Sequence, residues 1–312
     1  MARKVVIDLD PGIDDAVALV MALFDPRLEV IAVTAVAGNV PAEQSTRNLQ
    51  SLIELLDPPR WPRLGAAAVD DSPVVDGRHL HGANGLADAE FACAELHHVA
   101  AADKVISDAI RSAPNEVTVV TLGPLTNLAR TLQRDPGLIN ILGQAVISGG
   151  AINVPGNVTP AAEFNFHANP LAARQVLRLP FTKTLVPLNI TRQVMLGFDF
   201  LEQMPAGDSK AGDLLHRILP YAFRSFRRAY GLEGIYLADA VTLLAAADPS
   251  AFSTEMMAID VEIQGELTLG ATVADLRSAR QWRANTGVVT EIDRVQTTDA
   301  IVRCLERAGK AG

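Results

Sequence analysis

Cysteine is scarce: Cys93 and Cys304 are the only two in 312 residues, and their spacing matches no metal-ligand or redox motif. A disulfide framework is excluded, and the pair points to a reducing compartment. Long apolar runs are also missing. None approaches the ~20 residues that a membrane span requires. Basic residues are in deficit, 27 against 36 acids, for a net charge of −9. That balance argues against a nucleic-acid-binding face as the main feature. The first residues enter a strand at once, leaving no room for a secretory leader, so the expected compartment is the cytoplasm. Internal repeats and low-complexity tracts are absent. Hydrophobic residues, by contrast, make up 49% of the chain, ample for a sizeable core.

The stretch from Val5 to Leu19 organises the rest. Lys4 to Asp8 is apolar and β-branched, as in a buried strand, and Ala16 to Phe24 is rich in apolar helix formers. Between them lie four carboxylates in eight residues: Asp8, Asp10, Asp14 and Asp15. Alternation puts Asp8 and Asp10 on one side of the strand end, Pro11-Gly12 turns the chain, and Asp14 and Asp15 fall at the helix start. Helix capping accounts for one or two such acids, because free backbone N–H groups favour them there. Four converging acids repel one another unless a cation lies between them. Oxygen-only ligands suit a hard divalent ion, Ca²⁺ or Mg²⁺. An EF-hand is excluded, because its twelfth loop position needs Glu and holds Leu19 here. A dinucleotide site is disfavoured as well: the first turn carries acids where a pyrophosphate needs glycines and free N–H groups.

Strand-like and helix-like runs alternate along the chain. Leu28 to Val36 is a strand ending in Ala37-Gly38-Asn39, followed by a helix from Ala42 to Leu56. Val117 to Leu122 is a strand, and Gly123-Pro124-Leu125-Thr126-Asn127 opens a helix to about Gln133. Gln144 to Ser148 is another strand. This rhythm predicts an α/β fold with a doubly wound, mostly parallel sheet flanked by helices, and ligands at the carboxyl ends of the strands. Asp10, Asn39, Leu122 and Ser148 all occupy such ends. Asp70 to Ala89, with His79, His81 and Asn84, has no clear periodicity and reads as a long functional loop. Leu196 to Asp213 is similar. Further on, Leu214 to Tyr230 and Ala238 to Ala247 read as helices. Met256 to Gln264 and Gly287 to Ile292 read as strands, with a closing helix from Thr298 to Ala308. The expected organisation is one domain, residues 1–312, with late helical insertions.

At this point the chain resembles the nucleoside hydrolases of the inosine-uridine-preferring type. The resemblance rests on the Asp-x-Asp-x-Gly-x-Asp-Asp opening at Asp8 to Asp15, then Gly38-Asn39, His81-Gly82-x-Asn84-Gly85-Leu86 and Gly123-Pro124-Leu125-Thr126-Asn127. It continues through the block from Gly156-Asn157 to Glu163-Phe164-Asn165 and ends near Asp239. The blocks arrive in family order over roughly residues 4 to 250.

The resemblance implies hydrolysis of the N-glycosidic bond of a ribonucleoside to ribose and free base. It implies Ca²⁺ bound by Asp10, Asp15, Asp239 and the carbonyl of Leu122, with Asp10 as general base and Asp8 behind the ligands. Such an ion lowers the pKa of a water, and a nest of carboxylates favours the oxocarbenium-like transition state. Asp14 and Asn39 are expected on the 2′ side of the ribose, and Asn157, Glu163 and Asn165 on its 3′ and 5′ hydroxyls. A homodimer or homotetramer with a small nucleoside substrate, and no nucleic-acid or membrane partner, is also implied.

Two positions depart from the pattern. Relatives commonly carry His before the late Asp, as acid for the leaving base, where this chain has Ala238. They tend to carry Met where Ser148 stands. His81 is the first substitute for the acid, since the matching His in pyrimidine-preferring relatives lies near the base. Tyr230 and Tyr236 are candidates to reach the base by stacking or by hydroxyl donation, and a base that leaves without an acid is the third possibility. Two other functions compete. Asp8-Leu9-Asp10 fits the nucleophile motif of haloacid-dehalogenase-type phosphatases, but Pro11-Gly12-Ile13 breaks that motif and Asp14-Asp15 has no role in it. A non-catalytic ribose or nucleoside binder would explain Ala238 and Ser148, but has no need of Asp10.

Overall fold

The computed structural model describes residues 2–69, 75–94 and 99–311. The predicted first strand is β1, Arg3–Leu9, apolar enough to be covered on both faces. It is followed by α1 (Ile13–Leu23), β2 (Leu28–Ala35), α2 (Ala42–Leu56), β3 (Arg63–Ala66), α3 (Arg78–His81), β4 (Ala100–Ala101) and α4 (Ala102–Ser112). Then come β5 (Thr118–Thr121), α5 (Thr126–Arg134), β6 (Gln144–Ser148), α6 (Phe164–Ala168), α7 (Pro170–Arg178), β7 (Lys183–Val186) and α8 (Leu188–Thr191). The last part holds β8 (Met195–Gly197), α9 (Lys210–Tyr230), β9 (Gly234–Tyr236), α10 (Ala238–Ala247), β10 (Phe252–Met257), β11 (Ile259–Val261), β12 (Thr272–Ala274), β13 (Thr286–Ile292) and α11 (Arg294–Ala311).

Nine strands form one sheet in the order β10-β13-β7-β6-β5-β1-β2-β3-β4. Every neighbouring pair is parallel except β10 with β13, which gives one antiparallel edge. The chain winds outward from β1 through β2, β3 and β4, then returns to the other side of β1 with β5. The order reverses between β1 and β5, where the two chain directions leave a crevice beyond the carboxyl ends of the strands. Asp10 follows β1 and Leu122 follows β5, so both acidic opening and carbonyl stand at that reversal.

Alternation along β1 sends Val5, Ile7 and Leu9 to one core layer and Val6 to the other. The first layer is covered by α1, α2, α9, α10 and α11, the second by α4, α5 and α7. Among the described residues no helix is long and apolar enough to cross a membrane.

Several expectations shift. Helix α1 begins at Ile13 rather than Ala16, because Asp15 reaches back to accept the Gly12 amide at 2.9 Å and caps the first turn. Helix α9 begins at Lys210 rather than Leu214: Ser209 Oγ accepts from the Gly212 amide. Helix α11 starts four residues before Thr298. The run Met256 to Gln264 is not one strand. It splits at Ala258 into β10 and β11, which belong to different sheets. Asn285 takes both the amide and the carbonyl of Ile259 through its side chain at 2.9 and 2.8 Å, so β11 cannot continue the first ladder. Within the expected loop Asp70 to Ala89, residues 70–74 lie outside the described residues, and α3 occupies 78–81. Leu196 to Asp213 is likewise not all loop, since it contains the end of β8, a 3₁₀ turn at Phe198–Gln203 and the start of α9.

Candidate active site

A cavity of about 670 Å³ opens at the reversal point. Every residue nominated above as catalytic, ribose-binding or metal-ligating lines it except Asp15, which is fully buried behind it. Separate elements deliver them: Asp10 from the end of β1, Asp14 from α1, Asn39 from the loop after β2, His81 from α3, Leu122 from the end of β5. Asn157, Glu163 and Asn165 come from the loop after β6 and from α6. Tyr230 and Asp239 come from the facing ends of α9 and α10.

Carboxylate oxygens of Asp14, Asp15 and Asp239 lie within 4.8 Å of one another. Asp14 therefore joins the group, although the family resemblance implied a sugar contact for it. Asp14 Oδ1 and Asp15 Oδ1 are buried atoms with no hydrogen-bond partner. Asp10 stands beside the trio, and its Oδ2 accepts the Asn39 amide at 2.8 Å. Burial, and then the neighbouring carboxylates, push the pKa of Asp10 and Asp239 well up, and the same causes take Asp15 to about 8. No basic side chain pairs with Asp10, Asp15 or Asp239 among the described residues.

The hollow fits a hard cation on three counts. The donors are all oxygen, two of the oxygens are orphaned, and the space around Asp10 is kept open by glycine. A Cβ on Gly38 would lie 2.0 Å from Asp10 Oδ2, and one on Gly123 would lie 2.5 Å from Oδ1. Asp8 sits behind, where its Oδ1 accepts from Thr34 Oγ1 at 2.6 Å and from Asn127 Nδ2 at 2.8 Å. The Leu122 carbonyl points to the same region but already accepts from Asn165 Nδ2 at 2.6 Å, leaving its second lone pair for an ion.

The ribose-side candidates are held by the scaffold. Glu163 caps α6: its carboxylate accepts from the amides of Asn165, Phe166 and Gly150 at 2.9, 3.1 and 2.8 Å, and burial raises its pKa. Asn157 Oδ1 accepts the Phe164 amide, which fixes the side chain in the cavity lining. Asn39 Nδ2 donates to the Asp10 carbonyl and to Asp15 Oδ2.

His81 is buried, and its Nδ1 accepts the Ile13 amide at 3.0 Å. Only an unprotonated nitrogen can accept, so the ring proton resides on Nε2. Burial lowers the His81 pKa further from its ordinary value, which favours this neutral form. The aromatic wall is Phe226 edge-on to Tyr230 and to Tyr236, with centroids 5.6 and 6.3 Å apart.

Sequence reasoning missed two partners. Ser148 Oγ donates to Asp239 Oδ1 at 3.3 Å, a contact between residues 91 apart in sequence that no local pattern announces. Arg192 lines the cavity beside α8, a four-residue helix too short to register in periodicity.

Fold and site together define a class: a doubly wound α/β protein whose strand ends present an acidic, cation-sized hollow beside an aromatic cleft. Residues 5–299 match the family described as inosine-uridine preferring nucleoside hydrolase, and the chain belongs to that family. The non-specific ribonucleoside hydrolase RihC of Salmonella enteritidis is 34% identical over 290 residues, 93% of each chain. Among solved structures, a plant nucleoside hydrolase is similar at 32% identity and TM-score 0.90, covering 98% of this chain and 99% of its own. The purine-preferring ribonucleoside hydrolase of Gardnerella vaginalis is similar at 27% identity and TM-score 0.91, covering 99% and 100%. The chain is thus a hydrolase of the N-glycosyl bond of ribonucleosides, and the phosphatase reading falls.

Proposed function

We propose that this enzyme cleaves ribonucleosides with Ca²⁺ held by Asp10, Asp15, Asp239 and the Leu122 carbonyl, and with Asp10 as general base. One observation carries the reading: the carboxylates of Asp14, Asp15 and Asp239 converge on one hollow with orphaned oxygens and, among the described residues, no Lys or Arg partner. Left alone they would hold protons, as their raised pKa values express. When bound, Ca²⁺ supplies the charge that keeps them ionised and lowers the pKa of a nearby water.

Asp10 is fixed by the Asn39 amide and the two glycines, so it takes the water's proton without first reorienting. Asp14 and Asn39 serve the 2′ side of the ribose, and Asn157, Glu163 and Asn165 its 3′ and 5′ hydroxyls. Each hydroxyl needs a partner once water is excluded. The ionised nest favours positive charge developing on the sugar ring. Tyr230 stacks on the base. His81 presents its Nε2–H to the base as a hydrogen-bond donor. Relatives named non-specific and purine-preferring differ in the base they take, so this chain inherits no single preference. The two unpaired thiols support a reducing, cytoplasmic setting, and the family resemblance supports a homodimer or homotetramer, which light scattering measures.

The test is turnover of inosine, uridine, cytidine and p-nitrophenyl riboside, with Ca²⁺ and with chelator, by wild type, Asp10→Asn and His81→Ala. Asp10→Asn is expected to lose on the order of 10²–10⁴-fold in kcat. Activity indifferent to both chelator and Asp10→Asn overturns the mechanism. His81→Ala with full activity on every nucleoside removes His81 from it.

A further inference from the structure

Breaking the C1′–N bond leaves its electron pair on the base. The sugar carbon receives OH from water, and the water's other proton goes to Asp10. The base still carries negative charge as it departs and must be neutralised or stabilised. The two positions singled out for a leaving-group acid are constrained: Ala238, just before Asp239, has no titratable group, and Nδ1 of His81 is taken up by the Ile13 amide.

The cavity does contain a fixed positive charge. Among the described residues that line it, Arg192 is the only Lys or Arg. Its guanidinium donates to the carbonyls of Pro155 at 3.3 Å and Gly156 at 3.2 Å, and to no carboxylate among the described residues. Two neutral acceptors leave its charge and its remaining N–H groups uncommitted. It shares the cavity with the aromatic wall of Phe226, Tyr230 and Tyr236, and its charge opposes the rise that burial imposes on the Tyr230 pKa. None of the cavity's acids is paired with it, so the site holds separated poles: carboxylates where positive charge grows on the sugar, and a cation where negative charge grows on the base. A guanidinium cannot be deprotonated at physiological pH, so its contribution is electrostatic and not a proton transfer.

We propose that Arg192 stabilises the departing base anion in this enzyme, in place of a leaving-group acid, and that the base takes its proton from solvent after release. This rests on the riboside-hydrolase reading of the site. Preorganised donors aimed at developing charge are typically worth ~10²–10³-fold in rate.

Arg192 also ties down the Pro155-Gly156 backbone next to Asn157, so a purely positioning role is the rival. The two differ in what they do to substrates of unequal leaving ability. A p-nitrophenolate departs without help, whereas hypoxanthine needs it. The experiment measures kcat on inosine and on p-nitrophenyl β-riboside, with Ca²⁺, for wild type, Arg192→Gln and Arg192→Lys. The inosine-to-aryl ratio is expected to fall about 10²-fold in Arg192→Gln and to recover in part in Arg192→Lys, which keeps the charge. A ratio within about 3-fold of wild type in Arg192→Gln overturns the proposal, whether both activities fall or neither does. Wild type inert on both substrates overturns the riboside-hydrolase mechanism and this inference with it.

Discussion

The Ile13 amide donates to Nδ1 of His81 at 3.0 Å, and the backbone at Gly12 makes that approach possible. A Cβ at Gly12 would lie 2.8 Å from His81 Nδ1 and 2.7 Å from Asn39 Nδ2. Gly12→Ala must therefore push aside either the ring or the amide that braces Asp10 and Asp15. Misplacing such a group by about 1 Å costs on the order of 10²-fold. The expected result is a kcat/KM on nucleosides reduced by about that factor with an unchanged far-ultraviolet circular dichroism spectrum. Wild-type activity in Gly12→Ala would show that the His81 contact is incidental.

Without a cation the acids make the protein weaker as pH rises. Asp15 keeps its proton to about pH 8 when folded, because of burial and then the Asp14 charge, and Asp10 and Asp239 are also raised. The unfolded chain gives up those protons near the ordinary carboxylate value of about 4. Between these values the unfolded state binds fewer protons, so stability present at low pH is lost as pH climbs toward 8. Thermal unfolding in chelator is expected to move to lower temperature between pH 5 and 8. Millimolar Ca²⁺ should restore it, with a larger increment at pH 8 than at pH 5, because the ion binds the ionised acids. A midpoint in chelator that holds steady or rises over that range contradicts the arrangement.

Ser148 touches Asp239 through one hydroxyl at 3.3 Å. Groups that orient a metal ligand typically cost 10–100-fold in affinity when removed. This contact is long, so Ser148→Ala is expected near the lower bound, about 10-fold weaker Ca²⁺ affinity by calorimetry, with Asp239→Asn far more damaging. No change in affinity would mean that Asp239 is held by α10 alone.

The parallel sheet was legible because its central strands are mostly apolar, β-branched runs separated by Gly-containing turns, as at Val5–Leu9 and Gln144–Ser148. Most of the elements that escaped were short: the four-residue strands β3 and β7 and the five-residue α6 carry too few periods to stand out, although α4 and α7, of eleven and nine residues, escaped as well. The run Met256 to Gln264 misled because apolar alternation says nothing of which sheet a residue joins. That choice was made by Asn285, from 26 residues away.

The sequence alone determined the reaction's raw materials. Four acids around Pro11-Gly12 and the blocks at Asn157 and Glu163 fix an oxygen-rich site at strand ends, because local alternation and turn chemistry act within a few residues. Only the tertiary structure decided how those materials are used. It placed Asp239 against Asp14 and Asp15 across 224 residues, turned His81 so that its Nδ1 is occupied, and set Arg192 on two backbone carbonyls. Charge, tautomer and cavity depend on what lies nearby in space, and spatial neighbours far apart in the chain leave no local trace.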